Sequence, residues 1–366
     1  ERSIKMGVSR RDFLKGLAIG GTTGYFAMAG ASSTVLKDVF VPQRPLGTFD
    51  IGECKSVKCT VVSETSWFNN ARVVKDMKDA GGLLVNQYII PWTHKGVKEG
   101  YNGDNSGGFC TLIDVELMDG SKKKILLDCG WNTAWMDECF KREGVDRMLE
   151  NHEIDMLFVS HEHFDHYWGV ESVMKHCPDI PVIVPKGFYK EGFDLLKGAN
   201  FPVAGVKNDY PHTGPLEIRE SGKVHPLFPG AASITFDSAI ITRVTGEQGL
   251  VFNVAGKGLV AVTGCCHMGI ISFLEEIKHT VKGGDKIYGI QGGLHISPFE
   301  DWDPQYDDLI KALPGYGIEI LGCNHCTGYL TAEKMVLAGM PVVQGTARFK
   351  SKKKLYLGNG DQIMFG

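Results

Sequence analysis

The stretch Ser160-His161-Glu162-His163-Phe164-Asp165-His166 decides the fold, because it places three histidines and a carboxylate directly behind an apolar run. That run, Ile154-Asp155-Met156-Leu157-Phe158-Val159, predicts a buried strand, and the segment from Gly169 to Lys175 predicts a helix. The histidines therefore lie on a loop between a strand and a helix. Loops at strand ends are where α/β proteins usually place their chemistry.

The spacing within this loop predicts a metal site. In extended backbone, side chains two positions apart lie on the same side, so His161 and His163 are expected to hold one ion. Asp165 and His166 are then turned toward a second position nearby. Imidazoles with one carboxylate suit zinc, iron or manganese. The alternative is a surface cluster of polar residues, which the core strand immediately before the loop disfavours.

Two later strands predict further imidazoles at the same edge. Residues 258–262 form an apolar run that ends in Thr-Gly, and residues 318–321 form another that ends at Gly322. His267 and His325 follow these strand ends. His212 and His225 lie in a stretch rich in proline and glycine, where either a ligand or a solvated loop histidine is possible.

Several segments resemble one family, the metallo-β-lactamase superfamily of metal-dependent hydrolases, over most of residues 50–366. The His-x-His-x-Asp-His pattern resembles its signature, and its opening strands and turn are similar to residues 107–113, Asp119-Gly120 and Asp128-Cys129-Gly130. Three later segments resemble a subgroup named after the dihydropterin-aminobenzene-phosphate synthase of methanopterin biosynthesis. These are residues 258–267, Gly292-Gly293-Leu294-His295 and Cys323-Asn324-His325-Cys326-Thr327-Gly328.

The resemblance implies an α/β (α+β) fold, the four-layer αββα sandwich, in which two mixed sheets pack face to face with the metals at one end. The alternation of strand-like runs with helical segments agrees with this fold. The helical segments are residues 134–149, 187–197, 271–281 and 304–313.

The resemblance also implies the metal ligands. His161, His163 and His267 would hold one metal, and Asp165, His166 and His325 a second. We expect one or two divalent transition metals, zinc or iron, with manganese also suitable. A hydroxide activated by the metal would lie between them, and Asp165 would be the catalytic residue that orients it and takes its proton.

Cys265 departs from the family pattern, because a bridging aspartate usually follows the Thr-Gly of the late strand. A thiolate is a softer ligand, so both a metal-ligand role and a core position stay open for Cys265. His267 lies two residues further on, and the two side chains are not expected to reach the same ion. His295 is a further candidate for the metal site, either as a ligand or as a residue that contacts a ligand or the substrate, and the alternative is a histidine that caps a strand end.

The N-terminal residues predict export. Ser9-Arg10-Arg11-Asp12-Phe13 precedes a mildly apolar stretch that ends in Ala27-Met28-Ala29, a pattern typical of a Tat signal peptide. We assign the signal to residues 1–31, the Tat translocase as a partner and the periplasm as the destination. The alternative is a short amphipathic or anchoring helix, but a spanning helix needs about 20 apolar residues, so no stable anchor is expected. Residues 32–366 form one domain, with a possible rim insert at 91–108.

The composition of the chain limits the classes of protein to which it can belong. The chain has 366 residues, of which 43% are hydrophobic and 22% charged, as in a globular protein with one sizeable core. Its net charge of −4 gives no broad attraction for nucleic acid, so a nucleic-acid partner is not expected. Ten cysteines in an exported chain suggest disulfides, yet Cys110, Cys129, Cys139 and Cys177 have the apolar neighbours of core residues.

We predict an exported metal-dependent hydrolase that acts on a phosphoester or other ester of a small-molecule substrate. One alternative is a metal-dependent transferase or synthase, as the subgroup's name implies. Another is a non-catalytic metal-binding or redox protein that uses Cys265, Cys266, Cys323 and Cys326. A β-lactamase shares the fold, but no feature of the chain indicates a β-lactam pocket.

Overall fold

A computed structural model describes residues 44–64, 70–93 and 107–366. The predicted signal peptide at 1–31 lies outside the described residues, as does most of the predicted rim insert at 91–108. Within the described residues, no helix is long and apolar enough to cross a membrane.

The strands follow one another along the whole described chain. Their bounds are β1 (Cys54–Ser63), β2 (Cys110–Leu117), β3 (Lys122–Leu127), β4 (Met156–Phe158), β5 (Val182–Pro185), β6 (Asn200–Phe201), β7 (Val206–Lys207), β8 (Leu216–Arg219), β9 (Val224–Phe228), β10 (Ala231–Ala239), β11 (Thr245–Val254), β12 (Gly258–Thr263), β13 (Ile287–Gly293), β14 (Ile320–Asn324) and β15 (Gln362–Phe365).

Helices are inserted between these strands. Their bounds are α1 (Asn70–Asp79), α2 (Thr133–Glu143), α3 (Val145–Glu150), α4 (Phe164–Tyr167), α5 (Val170–Met174), α6 (Lys190–Leu196), α7 (Ile270–Thr280), α8 (Gln305–Ala312) and α9 (Tyr329–Leu337). Short 3₁₀ turns occupy Gln87–Ile89, Ile241–Arg243, Leu313–Tyr316 and His325–Thr327.

The strands form one hydrogen-bonded path in the order β14-β13-β12-β11-β1-β2-β3-β4-β5-β8, with β10, β9 and β15 attached beside it and β6-β7 separate. The path has two halves that meet where β1 pairs with β11 at a single position, Cys54 opposite Val254. Strands β3, β4, β5 and β8 run parallel in one half, and β12, β13 and β14 run parallel in the other.

Alternating side chains divide the apolar core into three clusters and so create four layers. On β4, Leu157 packs with the helices of the first half, whereas Phe158 faces inward. On β12, Ala261 packs with the helices of the second half, whereas Val262 faces the same inner cluster as Phe158. The inner cluster therefore joins two sheet faces, and the αββα sandwich is confirmed.

The predicted helices are present with bounds that differ by up to three residues, and one of them is divided in two. The segment predicted as one helix over residues 134–149 is two helices, α2 and α3. Gly144 separates them because its left-handed backbone (φ 72°) ends α2. The predicted strand over residues 154–159 is shorter than expected, since only Met156–Phe158 pairs in the sheet.

All ten cysteines are buried and none forms a disulfide in the structure. The apolar cluster that packs against the helices of the first half contains four of these cysteines, as their apolar neighbours predict. They are Cys110, Cys129, Cys139 and Cys177. Burial raises the pKa of Cys139 to about 12, so that its thiol is protonated at neutral pH.

Candidate metal centre

Strand ends of both halves bring the predicted residues to one edge of the sandwich. His161, His163, Asp165 and His166 follow β4 and are all buried. His267 follows β12, and His325 begins the 3₁₀ turn directly after β14. The carboxyl ends of parallel strands meet at one edge of a sheet, which is why residues distant in sequence converge here.

The first group contains His161, His163 and His267. The Nε2 atom of His161 lies 3.0 Å from Nδ1 of His163. The ring of His267 lies 4.8 Å from that of His161 and 4.9 Å from that of His163, measured between ring centroids. One nitrogen of each residue lies within 4.8 Å of the other two, so the group is able to hold an ion.

The second group contains Asp165, His166 and His325. Oδ2 of Asp165 lies 3.3 Å from Nε2 of His325 and 3.8 Å from Nε2 of His166. The two Nε2 atoms are 3.2 Å apart. The two groups thus correspond to the two trios that the resemblance implies, although a ligand role for each residue stays a prediction.

Cys265 lies at the second group, with its Sγ atom 3.0 Å from Nε2 of His166. Cys265 and His267 lie closer together than their spacing in the sequence suggests, and whether both reach one ion stays a prediction. Ligand atoms of Cys265, His267 and His295 all lie within 4.8 Å of one another. The cause is Cys266, whose left-handed backbone (φ 67°) turns the chain between the two side chains.

His295 faces the cluster as well, since its ring centroid is 4.3 Å from that of His267. Its Nδ1 atom is buried and has no hydrogen-bond partner in the described part of the chain. His212 and His225 have polar partners outside the cluster. Nε2 of His212 lies 2.7 Å from the carbonyl oxygen of Ile180, and Nε2 of His225 lies 2.7 Å from that of Glu220.

Four residues at this edge have strained backbone. Asp128, Cys266, His295 and His325 all have φ between 45° and 67°, the left-handed region that non-glycine residues rarely adopt. Each such residue costs about 1–3 kcal/mol and persists where the surrounding structure holds it. Asp128, His295 and His325 contact histidines of the cluster, whereas the Cys266 side chain packs in the apolar core.

Asp128 orients two of the histidines. Its carboxylate accepts hydrogen bonds from Nδ1 of His166 at 2.6 Å and from the Ser160 hydroxyl at 2.7 Å. The oxygen of Ser160 lies 2.8 Å from Nδ1 of His161. With protons on both Nδ1 atoms, Nε2 of His161 and Nε2 of His166 are left free for a metal.

Gly264 leaves room for this arrangement. A Cβ atom at Gly264 would lie 2.2 Å from the Ser160 oxygen and 2.8 Å from Oδ2 of Asp128. Any side chain here would displace the pair that orients His161 and His166. The Thr-Gly turn therefore requires glycine at position 264 for a steric reason.

Glu247 plays the same part for His267. Its buried carboxylate lies 3.3 Å from Nδ1 of His267 and accepts a hydrogen bond from the backbone N–H of Cys266 at 2.8 Å. The preferred proton position is thus Nδ1, which leaves Nε2 of His267 free. His163 has the opposite tautomer, since its Nε2 lies 3.2 Å from the carbonyl oxygen of Ile241 and its Nδ1 faces His161.

Glu162, within the same loop, points away from the cluster. Its carboxylate accepts hydrogen bonds from the Tyr88 hydroxyl at 3.0 Å and from the Tyr189 backbone N–H at 2.5 Å. Burial raises the pKa of Glu162 to about 8. This residue anchors the loop to its surroundings.

Burial keeps most of the imidazoles neutral. It lowers the pKa of His163 and of His267 to about 3, and it holds the pKa values of His161 and His295 well below their usual range. The pKa of His325 is lowered by burial as well. Metal ligation requires neutral imidazole, so the environment suits it.

The pKa values of Asp128 and Asp165 are shifted in opposite directions. Burial raises the pKa of Asp128. Burial would also raise the pKa of Asp165, but the neighbouring His166 and His325 lower it below its ordinary value. For His166, burial is outweighed by Asp165 and Asp128, which raise its pKa. Asp165 is therefore ionised at neutral pH and one proton is held between Asp128 and His166.

The donor set fits a divalent transition metal. Two ligands on a tetrahedral zinc ion, each at about 2.0–2.1 Å, are about 3.3 Å apart. The nitrogen pairs His161–His163 and His166–His325 are separated by 3.0 and 3.2 Å. The unpartnered Nδ1 of buried His295 would gain a partner in such an ion.

A cavity of about 450 Å³ opens beside the cluster, and His267 and His295 are among its lining residues. That volume is within the range of small-molecule sites, about 300–1,000 Å³. Reactants therefore have a route to one side of the candidate centre.

Comparison with known proteins agrees with this geometry. A model of the metallo-beta-lactamase superfamily matches residues 103–274. The chain is also 30% identical over 273 residues to the 7,8-dihydropterin-6-methyl-4-(beta-D-ribofuranosyl)-aminobenzene-5'-phosphate synthase of Methanocaldococcus jannaschii, covering 65% of this chain and 88% of the relative. The chain belongs to the metallo-beta-lactamase superfamily.

Other similar proteins are more distant. An uncharacterized protein of the same organism is 25% identical over 244 residues, covering 62% of this chain and 86% of the relative. A solved metal-dependent hydrolase of the beta-lactamase superfamily is 17% identical, with 84% of this chain and 98% of that chain covered and a TM-score of 0.47. A metallo-beta-lactamase fold protein from Bacillus subtilis is 11% identical, with 78% and 93% covered and a TM-score of 0.46.

Two orienting carboxylates were missed as site residues in the sequence. Asp128 belongs to the Asp-x-Gly turn that contributes to the resemblance, so a signal existed, but its partners Ser160 and His166 lie more than thirty positions away. Glu247 lies within strand β11, where no motif marks it. Its partners appear only when β11 and β12 pair.

Proposed function

We propose that the protein is a metal-dependent hydrolase that cleaves a phosphoester or other ester of a small molecule. The observation that carries this proposal is the convergence of His161, His163 and His267 with Asp165, His166 and His325 beside an accessible cavity. A divalent metal held by such ligands lowers the pKa of a bound water and polarises the bond to be broken.

Asp165 supplies the proton acceptor. The Asp165 carboxylate is ionised, and its Oδ2 atom lies at the second group. About a tenth of the side chain is accessible to solvent. Water adds to the ester carbon or phosphorus while one of its protons passes to Asp165; the bond to the alcohol oxygen breaks, and the alcohol leaves with the proton that Asp165 accepted. A general base of this kind typically contributes about 10²–10⁴-fold to the rate.

The backbone holds Asp165 in place. Its carbonyl oxygen accepts a hydrogen bond from the backbone N–H of Phe109 at 2.8 Å. A Cβ atom on Gly108 would lie 2.0 Å from that same oxygen, so the chain approaches closely only because residue 108 is glycine. The carboxylate is thereby positioned before a substrate arrives.

Asp165→Asn tests the proposal against Asp119→Asn, a control in the exposed β2–β3 turn. Each purified protein is assayed against phosphomonoesters, phosphodiesters, lactones and thioesters, with metal content measured in parallel. We expect turnover of at least one class by the parent protein, a loss of about 10²–10⁴-fold in Asp165→Asn and no change in the control. A metal-loaded parent protein without turnover of any ester contradicts the hydrolase.

A synthase or transferase is the second candidate, and the name of the relative at 30% identity favours it. In that case the acceptor is a second substrate and water is excluded from the reaction. Mass spectrometry with added alcohols and amines separates the two, since a transferase forms the transferred product and a hydrolase the free acid. A metal-loaded protein that forms neither supports the non-catalytic metal-binding alternative.

We further propose that the protein is exported by the Tat route, as the arginine pair Arg10-Arg11 predicts. Tat carries folded proteins, which would allow the metal to be inserted before export.

A further inference from the structure

The cavity beside His267 and His295 extends well beyond the candidate metal ligands. Its walls come from helix α1 and the turn after it, from the end of β10 with the following 3₁₀ turn, from the loop after β12, and from the loop after β13 with the start of α8. Only the loops after β12 and β13 carry candidate metal ligands. The remaining walls extend away from the cluster and give the cavity its size.

The wall formed by the turn after α1 is fixed by two hydrogen bonds to its backbone carbonyl oxygens. The N–H of Thr242 donates to the carbonyl oxygen of Leu83 at 2.6 Å, and Nε of Arg243 donates to that of Leu84 at 2.5 Å. Thr242 and Arg243 are both left-handed, with φ of 56° and 63°. Strained backbone held by neighbouring contacts indicates a preformed wall.

The same turn is connected to the candidate metal centre. The carbonyl oxygen of Ile241 lies 3.2 Å from Nε2 of His163, and the Ile241 side chain lines the cavity. One short segment therefore positions a candidate ligand and forms part of the cavity wall. A molecule in the cavity lies directly beside the cluster.

The walls are mostly aliphatic and aromatic. Met77, Leu83, Ile240, Ile296 and Phe299 are among the lining residues. The charged side chains among the described lining residues are one lysine, Lys78, and one aspartate, Asp301, whose charges cancel. Such walls favour an uncharged apolar group, and they lack the cluster of cations that a phosphate would require.

We propose that this cavity binds the apolar acyl arm of a carboxylic ester, with the scissile bond placed against His267 and His295. The inference rests on the proposed hydrolase function and narrows its substrate class. At roughly 30 Å³ for each water-sized group, the cavity has room for an arm on the order of ten non-hydrogen atoms. An acyl chain of medium length meets that requirement.

Binding of linear alkanoates, the acid products of such esters, tests the proposal without turnover. Calorimetry on the zinc-loaded protein compares butanoate, hexanoate, octanoate and decanoate. Each buried methylene should tighten binding about fourfold until the cavity is full. An affinity that is the same from butanoate to decanoate overturns the proposal.

Two neighbouring leucines provide a matched pair of variants. Leu83 lines the cavity, whereas Leu84 is 66% exposed and is not among the lining residues. Leu83→Gln should weaken decanoate binding about tenfold and leave butanoate nearly unchanged, because an amide then meets the end of the chain. Leu84→Gln should behave like the parent protein. Equal losses in both variants contradict the assignment.

A third variant guards against misfolding of Leu83→Gln. Ala239 lines the cavity and is exposed, so Ala239→Phe fills space without disturbing the core. The longest chain that still gains affinity should become shorter by two or more methylenes. If chain length governs binding but no ester is hydrolysed, the cavity assignment stands and the hydrolase fails. If short esters are hydrolysed but chain length has no effect, the reverse holds.

Discussion

Replacing Asp128 by asparagine changes the shape of the side chain little and reverses the two hydrogen bonds at Oδ2, those from His166 and from the Ser160 hydroxyl. In the parent protein Asp128 accepts from Nδ1 of His166 at 2.6 Å, from the Ser160 hydroxyl at 2.7 Å and from the Ser160 N–H at 2.6 Å. The amide oxygen of asparagine is able to keep the backbone contact. Its NH₂ group then faces Nδ1 of His166, which has to become an acceptor.

The proton of His166 consequently moves to Nε2, the nitrogen that lies 3.2 Å from His325 and 3.0 Å from Cys265. A protonated Nε2 is unable to bind a metal. Loss of an orienting partner typically lowers metal affinity about 10–100-fold, equivalent to about 1.4–2.7 kcal/mol. We expect the larger loss at the second group, because Asp128 acts on His161 only through the Ser160 hydroxyl.

Chelator competition with metal analysis measures the effect. Ser160→Ala serves as the comparison, because it removes the contact at 2.8 Å to His161 and leaves the bond between Asp128 and His166 in place. We expect its loss at the first group instead. An Asp128→Asn variant that keeps both the metal stoichiometry and the affinity of the parent, within a factor of about three, would refute the tautomer argument.

Three further outcomes are expected. Cys265→Ser should weaken metal binding at one position and leave the melting temperature of the metal-free protein unchanged; unaltered metal content would make Cys265 a core cysteine. Gly108→Ala should lower the melting temperature and the metal content together, because the added Cβ would lie 2.0 Å from the Asp165 carbonyl oxygen. Replacing Arg10 and Arg11 with lysines should retain the folded, metal-loaded protein in the cytoplasm, as measured by cell fractionation, and unchanged arrival in the periplasm would show that the arginine pair is incidental.

The local part of the site was predictable from the sequence because its ligands are neighbours. His161, His163, Asp165 and His166 follow one strand, so the periodicity of that strand places them. His267 was predictable for a related reason, since parallel strands end at a common edge. The four-layer fold followed from the resemblance and from the alternation of strand-like and helical segments.

Long-range contacts were not predictable in the same way. Glu247 reaches His267 only because β11 and β12 pair. Nothing in the sequence around Glu247 indicates that its carboxylate is buried. The approach of Cys265 to His267 depends on the left-handed turn at Cys266, a backbone state that non-glycine residues rarely adopt and that sequence patterns do not show. The cavity likewise combines four segments that are distant along the chain.

Metal analysis of the purified protein tests the central claim most directly. We expect one or two transition metal ions per chain, zinc or iron, because six candidate ligands converge and most of their imidazoles are buried and neutral. The double variant His163→Ala/Asp165→Ala removes one ligand from each group and should lose at least one ion. Full metal occupancy in that variant, or a parent protein that binds no metal, would contradict the assignment of this cluster as a metal centre.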